Sequence, residues 1–264
     1  MVSTHSRWLY GVAALLYAFL YAPIAVVIVF SFNTSRHGLG WQGFTWQWYR
    51  ALLDNSQALE AAKNTLALAI CSTLIATAIG TAAGFGLSRY EIPGRRFFSR
   101  LLYLPVFVPD IVMAVSLLLF FSIIRQWLGL FQLGLTTMIF AHVTFQIPFV
   151  AIVVRSRLAG LDPALEEAAH DLGANAWQTF WRVTFPLMLP GVMAGGMLAF
   201  TLSLDDFVVS FFTSGPGSTT LPILIYASVK RGLTPDIHAL STLIVLVSLL
   251  ATLTVALLQR RGRA

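Results

Sequence analysis

Long apolar stretches alternate with short polar segments along nearly the whole chain. A helix needs about 20 mainly apolar residues to cross the hydrocarbon core of a membrane, and six stretches are long enough. They cover residues 8–32, 64–88, 99–124, 133–154, 187–212 and 238–258. Bends are predicted where prolines lie inside or beside these stretches, at positions 23, 105, 109, 148 and 190. The pattern predicts an all-α membrane protein with six transmembrane helices, in which residues 1–264 form a single transmembrane domain.

One polar segment, residues 161–186, predicts a small exposed helical hairpin between the fourth and fifth stretches. Asp162 and Pro163 suit the beginning of a short helix, and acidic residues follow in its first turns, where the helix dipole favours negative charge. Gly173 suits the position just past its end. Asn175 can cap a second short helix that runs through Arg182, and Pro186 disfavours helical geometry at Phe185.

Composition supports a membrane protein and bears on its orientation. The chain is 57% hydrophobic and 11% charged, whereas about 25% of residues are charged in soluble domains. Its net charge of +6 does not indicate nucleic-acid binding, because the basic residues are scattered between apolar stretches. If the N-terminus is inside, the inner segments hold eleven of the 17 Lys and Arg residues. The positive-inside rule therefore predicts that both termini and the hairpin are cytoplasmic.

Three carboxylates interrupt the predicted spans, and charges at such depths usually face a water-filled path or a partner. Asp110 is expected near the middle of the third span, and Asp205 and Asp206 near the outer end of the fifth. No span carries an obvious Lys or Arg mate for them, although a protonated or paired carboxylate remains an alternative. Phe207 and Tyr226 can add cation–π attraction. We predict a pathway for a cationic solute that is lined by Asp206, with Asp110 as a second candidate. Asp205 and Asp206 point about 100° apart on a helix, so only one of the two fully faces the pathway.

Several other chemistries lack the residues they need. The sequence contains no Gly-x-x-x-x-Gly-Lys-Ser/Thr loop for ATP, and its five histidines do not cluster at metal-ligand spacing. His142 leaves an intramembrane hydrolase open, but no serine motif accompanies it, and we expect a hydrogen-bonded structural role. Gly80 with Gly84, and Gly191 with Gly195, predict close contacts between helices of this chain. We expect no cofactor and no metal in the chain.

The hairpin resembles the EAA loop of ABC importer permeases. The resemblance rests on Glu167-Ala168-Ala169, Gly173 four positions later, and Val183-x-Phe185-Pro186 after nine residues. It implies a type I ABC importer permease (MetI-like) fold, in which this hairpin is the coupling helix that docks on a cytoplasmic ATPase. The residues assigned to coupling by this resemblance are Glu166, Glu167, Ala168, Ala169, Asp171, Gly173 and Arg182.

A second likeness extends over essentially the whole chain. The segments 202–209, 215–222 and 225–226 resemble those of the spermidine/putrescine permeases of the PotC/PotI type. The resemblance implies a non-enzymatic inner-membrane subunit that pairs with a homologous permease, two cytoplasmic ATPase subunits carrying ATP and Mg, and a periplasmic or external substrate-binding protein. Its passenger would be a polyamine. An importer permease for iron(III) or a phosphonate, and an ATP-independent transporter, remain alternatives.

Overall fold

The chain folds almost entirely into α-helices. The computed structural model describes residues 5–35, 40–91, 93–231 and 235–261. Within these residues the only β-pairing is an isolated bridge between Asn33 and Phe44, so the all-α prediction is confirmed. The helices are α1 (His5–Phe30), α2 (Gln47–Asp54), α3 (Ser56–Arg89), α4 (Arg95–Phe107), α5 (Asp110–Leu128), α6 (Leu135–Ala159), α7 (Ala164–Asp171), α8 (Ala176–Thr179), α9 (Phe185–Leu204), α10 (Val208–Thr213), α11 (Leu221–Arg231) and α12 (Pro235–Arg261), with a π-helical turn (Phe180–Thr184) between α8 and α9.

Among the described residues, five helical segments are long and apolar enough to cross a membrane. They are Trp8–Phe30, Ser56–Arg89, Asp110–Leu128, Leu135–Ala159 and Ala176–Leu204. Two shorter apolar helices, Leu221–Lys230 and Asp236–Leu250, follow them. Each of the six predicted stretches overlaps one of these helices, but the third and the fifth differ in their bounds.

The third predicted span, 99–124, is not one helix. Helix α4 ends at Phe107, and α5 begins at Asp110 after an extended residue, Val108, with φ −75° and ψ 129°. The break follows from Pro109, which disfavours helical geometry at Val108 and has no amide hydrogen to donate. Asp110 therefore lies in the first turn of a new helix and not in the interior of a continuous one, as the third predicted stretch had it.

The fifth predicted span, 187–212, is also corrected at both ends. Its helix begins within the hairpin and runs without interruption over Ala176–Leu204. The second hairpin helix does not end at Arg182, and the expectation that Pro186 keeps Phe185 out of helical geometry is wrong, because Phe185 is helical with φ −63° and ψ −48°. The π-helical turn Phe180–Thr184 directly before it widens the helix and accommodates the missing amide of Pro186. At the other end, the helix stops at Leu204, and α10 is a separate short helix.

The described chain separates into two compact units. The first combines the chain up to Leu59 with Leu224–Ala251, and the second contains Glu60–Ile223. In the first unit, Asn33 is fully buried and organises the loop after α1. Its side chain donates to the carbonyl of Gly40 and accepts from the amide of Gln42, and its own carbonyl accepts from the Trp48 indole. The side-chain amide and the carbonyl of Asn33 are thus satisfied by neighbouring groups.

In the second unit, α6 is the central helix and packs along α9. Val150, Val154 and Leu158 of α6 form a buried apolar cluster with Met188 and Ala199 of α9. Small residues let the backbones approach. A Cβ atom added to Gly80 would lie 2.7 Å from Cβ of Val150, and one added to Gly195 would lie 3.2 Å from its Cα. Gly84 and Gly191 likewise face α6, at Ala151 and Arg157. The predicted close contacts within the chain are confirmed.

Candidate functional site

The predicted hairpin forms, and its local signals act as expected. Oδ1 of Asp162 accepts a hydrogen bond from the Ala164 amide at the beginning of α7. Gly173 ends the first arm with φ +85°, a left-handed conformation that side chains disfavour. Asn175 and Gln178 then cap the second arm reciprocally, each side chain accepting from the other's backbone amide at 2.9–3.0 Å. The turn at Gly173 and the beginnings of the two helices thus follow from short-range chemistry.

The two adjacent glutamates of the hairpin have different surroundings. Oε1 of Glu166 lies 2.9 Å from the Arg89 guanidinium at the end of α3, and it also accepts from the Thr184 hydroxyl at 2.9 Å. Glu167 is exposed. Glu166 therefore ties the hairpin to α3 and to the start of α9, while Glu167 presents its carboxylate to solvent. Arg89 and Thr184 belong to this site although no motif in the sequence singled them out.

The remaining coupling residues lie on the outer surface of the hairpin. Ala168, Asp171, Gly173 and Arg182 are exposed, and Ala169 is half-buried. Two large apolar side chains accompany them, since Leu172 is 90% exposed and Trp177 is 70% exposed. Apolar side chains surrounded by charged ones are typical of a surface that is covered by a protein partner. The hairpin thus offers a compact docking surface at one end of the helices.

Behind the hairpin, a cavity of about 1090 Å³ lies between α3 and the beginning of the long helix Ala176–Leu204. Its walls are mainly aromatic and aliphatic, and the Arg89–Glu166 ion pair lies at its edge. Phe85 of α3 meets Phe180 of the π-helical turn with ring centroids 5.0 Å apart. The hairpin is therefore joined to α3 by a few specific contacts around an open space.

At its other end, the long helix stops at a second acidic feature. Asp205, Asp206 and Phe207 form the connection between α9 and α10. The prediction that these aspartates lie on one continuous helix is therefore wrong. Asp205 is exposed. The Asp206 carboxylate accepts from the backbone amides of Val209 and Ser210 at 3.3 and 2.7 Å. Of the two carboxylates, only that of Asp205 is directed to solvent.

Asp206 also has a basic neighbour, which is a histidine and not a lysine or arginine. Nε2 of His142, on α6, lies 3.3 Å from Oδ2 of Asp206 and 3.0 Å from the Ser210 hydroxyl. Nδ1 of His142 lies 2.7 Å from the Ser203 hydroxyl. The network continues through Ser72 to the side-chain amide of Gln146. In the sequence, this network is indicated only by single polar residues within the apolar stretches.

The Asp206–His142–Ser203 arrangement has the residue types of a hydrolytic triad, but not its accessibility. His142 is fully buried, and Ser203 is 2% exposed. A nucleophile must reach the carbon that it attacks, and this hydroxyl is enclosed between α3, α6 and α9. The ring nitrogens instead hold three helices at fixed distances, which confirms the hydrogen-bonded structural role expected of His142.

Asp110, Phe207 and Tyr226 are the other residues predicted for the solute pathway. Asp110 is exposed in the first turn of α5, where the helix dipole favours a carboxylate. The ring of Tyr226, in α11, faces the chain's own cation, with Nζ of Lys230 4.8 Å from its centroid. The ring centroids of Phe207 and Phe211 lie 5.4 Å apart, and the ring planes are tilted by 36°.

Comparisons with known proteins place this arrangement among transport proteins. Residues 76–261 match the family described as "Binding-protein-dependent transport system inner membrane component". The spermidine/putrescine transport system permease protein PotC of Escherichia coli K12 is 44% identical over 95% of this chain and 93% of its own length. The putrescine permease PotI of the same strain is 40% identical over 90% of this chain and 86% of its own.

The fold also matches a solved structure. A chain of a bacterial alginate ABC transporter, solved in complex with an alginate-pentasaccharide-bound periplasmic protein, superposes with a TM-score of 0.77. The match covers 97% of this chain and 93% of that one at 22% identity. The predicted type I ABC importer permease fold is confirmed by this likeness.

Proposed function

Because the chain belongs to the family of binding-protein-dependent transport system inner membrane components, we propose that it is the permease subunit of an ATP-driven importer of polyamines. As a member of this family it is a transport subunit rather than an enzyme. The observation that carries the choice of passenger is its 44% identity, over 95% of the chain, to a spermidine/putrescine permease. Putrescine and spermidine are small organic cations, which is the class of solute that the acidic residues favour.

The transport path passes the connection between α9 and α10. Asp205, whose carboxylate is exposed there, attracts the ammonium groups of the passenger. Asp206 is engaged by the first-turn amides of α10 and by His142, so it shapes the connection and supports Asp205. Asp110, exposed at the beginning of α5, and the aromatic ring of Phe207 contribute further attraction along the path.

The hairpin transmits force from an ATPase. Its outer surface, with Glu167, Ala168, Asp171, Gly173 and Arg182, docks on the nucleotide-binding subunit, and Ala169 packs beneath it. The helix that begins in the hairpin ends directly before the acidic connection, after 29 residues without a break. At about 1.5 Å per residue, this is a lever of about 43 Å. A displacement of the hairpin therefore reaches Asp205 through one continuous helical segment.

The complete transporter contains further subunits. This chain pairs with a homologous permease, and two cytoplasmic ATPase subunits bind ATP and Mg. A periplasmic or external binding protein delivers the polyamine. Both termini of this chain, and its hairpin, face the cytoplasm, in line with the distribution of its basic residues.

Reconstituted transport tests this proposal. Proteoliposomes holding the two permeases and the ATPase should accumulate labelled putrescine or spermidine only when ATP and the binding protein are supplied. Excess iron(III) or a phosphonate should leave this uptake unchanged. Uptake by the permease without its ATPase would contradict the ATP-driven mechanism, and inhibition by iron or the phosphonate would contradict the choice of passenger.

A further inference from the structure

A second cavity, of about 530 Å³, lies at the hairpin end of the second unit, apart from the acidic connection. Three helices supply its positive charge. Arg89 ends α3, Arg95 begins α4, and Arg155 lies in the last turns of α6. All three side chains are half-buried, and none of the residues that line the cavity is acidic. Half-buried like charges that share a cavity repel one another unless an anion joins them.

The three arginines differ in how well they are satisfied by the chain itself. Arg89 is paired with Glu166 at 2.9 Å, and Arg95 donates to the carbonyls of Leu87 and Ser88 at the end of α3. Arg155 has weaker contacts: a 3.5 Å approach to the Ser99 hydroxyl and a position 6.0 Å from the centre of the Tyr103 ring. Within the described residues, no carboxylate pairs with Arg155. Its guanidinium retains the capacity for a charged, bidentate partner.

The lining of the cavity is also amphipathic. Ser88, Ser156 and Tyr103 add hydroxyl groups near the arginines, while Ile152, Leu158 and Leu161 form an apolar wall. A phosphate bound to arginines and serines would satisfy the polar part only. A phospholipid headgroup satisfies both parts, because its glycerol and upper acyl carbons contact the aliphatic side chains. Basic pockets between transmembrane helices on the cytoplasmic side are known to suit anionic headgroups.

We propose that this cavity binds the headgroup of an anionic phospholipid, with Arg155 as the main phosphate contact. The proposal uses the orientation given under the proposed function, which places the hairpin end at the inner leaflet. Because Arg89 contributes both to this cavity and to the ion pair with Glu166, a bound lipid also supports the root of the hairpin.

Native mass spectrometry of the purified transporter tests the proposal with phosphatidylglycerol as the probe. The complex is released from nanodiscs of phosphatidylcholine with added phosphatidylglycerol, and the retained anionic lipid is measured for wild type, Arg155→Gln, Arg155→Lys and Arg100→Gln. Arg100 is the matched control, because it is an exposed arginine of α4 outside the cavity lining. Arg155→Gln should reduce retention about tenfold, as expected for the loss of one charged hydrogen-bonding partner. Arg155→Lys should retain an intermediate amount, and Arg100→Gln should match wild type.

Several outcomes would overturn the lipid site. Equal retention in Arg155→Gln and wild type would remove the phosphate contact, and an equal loss in Arg100→Gln would indicate general surface charge. Displacement of the lipid by inorganic phosphate would indicate a site for a soluble anion. Loss of the ATPase in place of the lipid would identify a protein contact. The melting temperature of each variant checks its folding, and the measurement needs no transport activity, so it can fail or succeed independently of the proposed function.

Discussion

Oδ2 of Asp206 lies 3.3 Å from Nε2 of His142, and this contact joins the acidic connection to the central helix α6. The same carboxylate accepts from the amides of Val209 and Ser210, so its position is set from two sides. Asp205, by contrast, is exposed. Two adjacent residues of the same type are therefore assigned different roles, one in shaping the connection and one in attracting the passenger.

Asparagine substitutions should separate these two roles. Asp205→Asn removes an exposed charge, and we expect a lower kcat/KM for polyamine uptake with little change in melting temperature. A charge about 4 Å from an ammonium group contributes roughly 1 to 4 kcal/mol, so the fall should be at least about fivefold. Asp206→Asn should lower the melting temperature as well, because hydrogen bonds to a charged acceptor are worth about 1.5 to 3 kcal/mol. Uptake assays and thermal unfolding of the same preparations provide the comparison. A stable Asp206→Asn protein with selectively weakened uptake would reverse the assignment.

Replacing His142 should lower stability because the hydrogen-bond network around Asp206 loses a member. We expect no direct effect on binding of the polyamine. His142→Leu leaves the polar groups of Ser203, Ser210 and Asp206 without their shared partner, and each buried group left unsatisfied costs about 1 to 3 kcal/mol. His142→Gln keeps a donor and an acceptor and should cost less. Combined with Asp206→Asn, the His142→Leu effect on unfolding free energy should be smaller than in the wild-type background. Strictly additive effects would show that the two residues act independently.

Substitutions at Gly173 should affect coupling according to how well the new residue tolerates a positive φ, and not according to the size of its side chain. A Cβ atom added there meets nothing within 4 Å, but the residue has φ +85°. Left-handed geometry costs an ordinary side chain about 1 to 2 kcal/mol, whereas asparagine tolerates it better. Gly173→Val should lower the amount of polyamine taken up per ATP hydrolysed while the complex still assembles, and Gly173→Asn should be close to wild type. If both variants retain normal coupling, the docking role of this turn is excluded.

The adjacent glutamates of the hairpin offer a matched pair. Glu166→Gln removes the charge that holds Arg89 and Thr184, so we expect faster amide hydrogen exchange across Ala164–Asp171. The ion pair is partly exposed, and its loss should amount to about 1 kcal/mol or less. Glu167→Gln should leave exchange in the hairpin unchanged and weaken its affinity for the ATPase subunit. The opposite pattern, with Glu167 controlling exchange, would contradict the orientation of both side chains.

The sequence predicts well what depends on neighbouring residues. The apolar stretches, the hairpin between Asp162 and Pro186, its caps at Asp162 and Asn175, and the turn at Gly173 all rest on interactions over a few positions. Membrane helices are especially easy to predict from sequence. In lipid, each helix must form its backbone hydrogen bonds internally and must be apolar along its length. The same short-range reasoning was wrong at Phe185, where a π-helical turn compensates for Pro186.

What the sequence could not determine are the relations between residues that are far apart along the chain. The contact of His142 with Asp206, the ion pair of Arg89 with Glu166, and the shared cavity of Arg89, Arg95 and Arg155 each require helices packed at particular distances. That packing is set by where small residues such as Gly80 and Gly195 let α6 approach its neighbours. Hydropathy indicates which segments enter the membrane. It does not indicate which helix faces contact each other, because lipid and protein interiors are almost equally apolar. Only the tertiary structure therefore decides which of two adjacent aspartates is free to meet a cation.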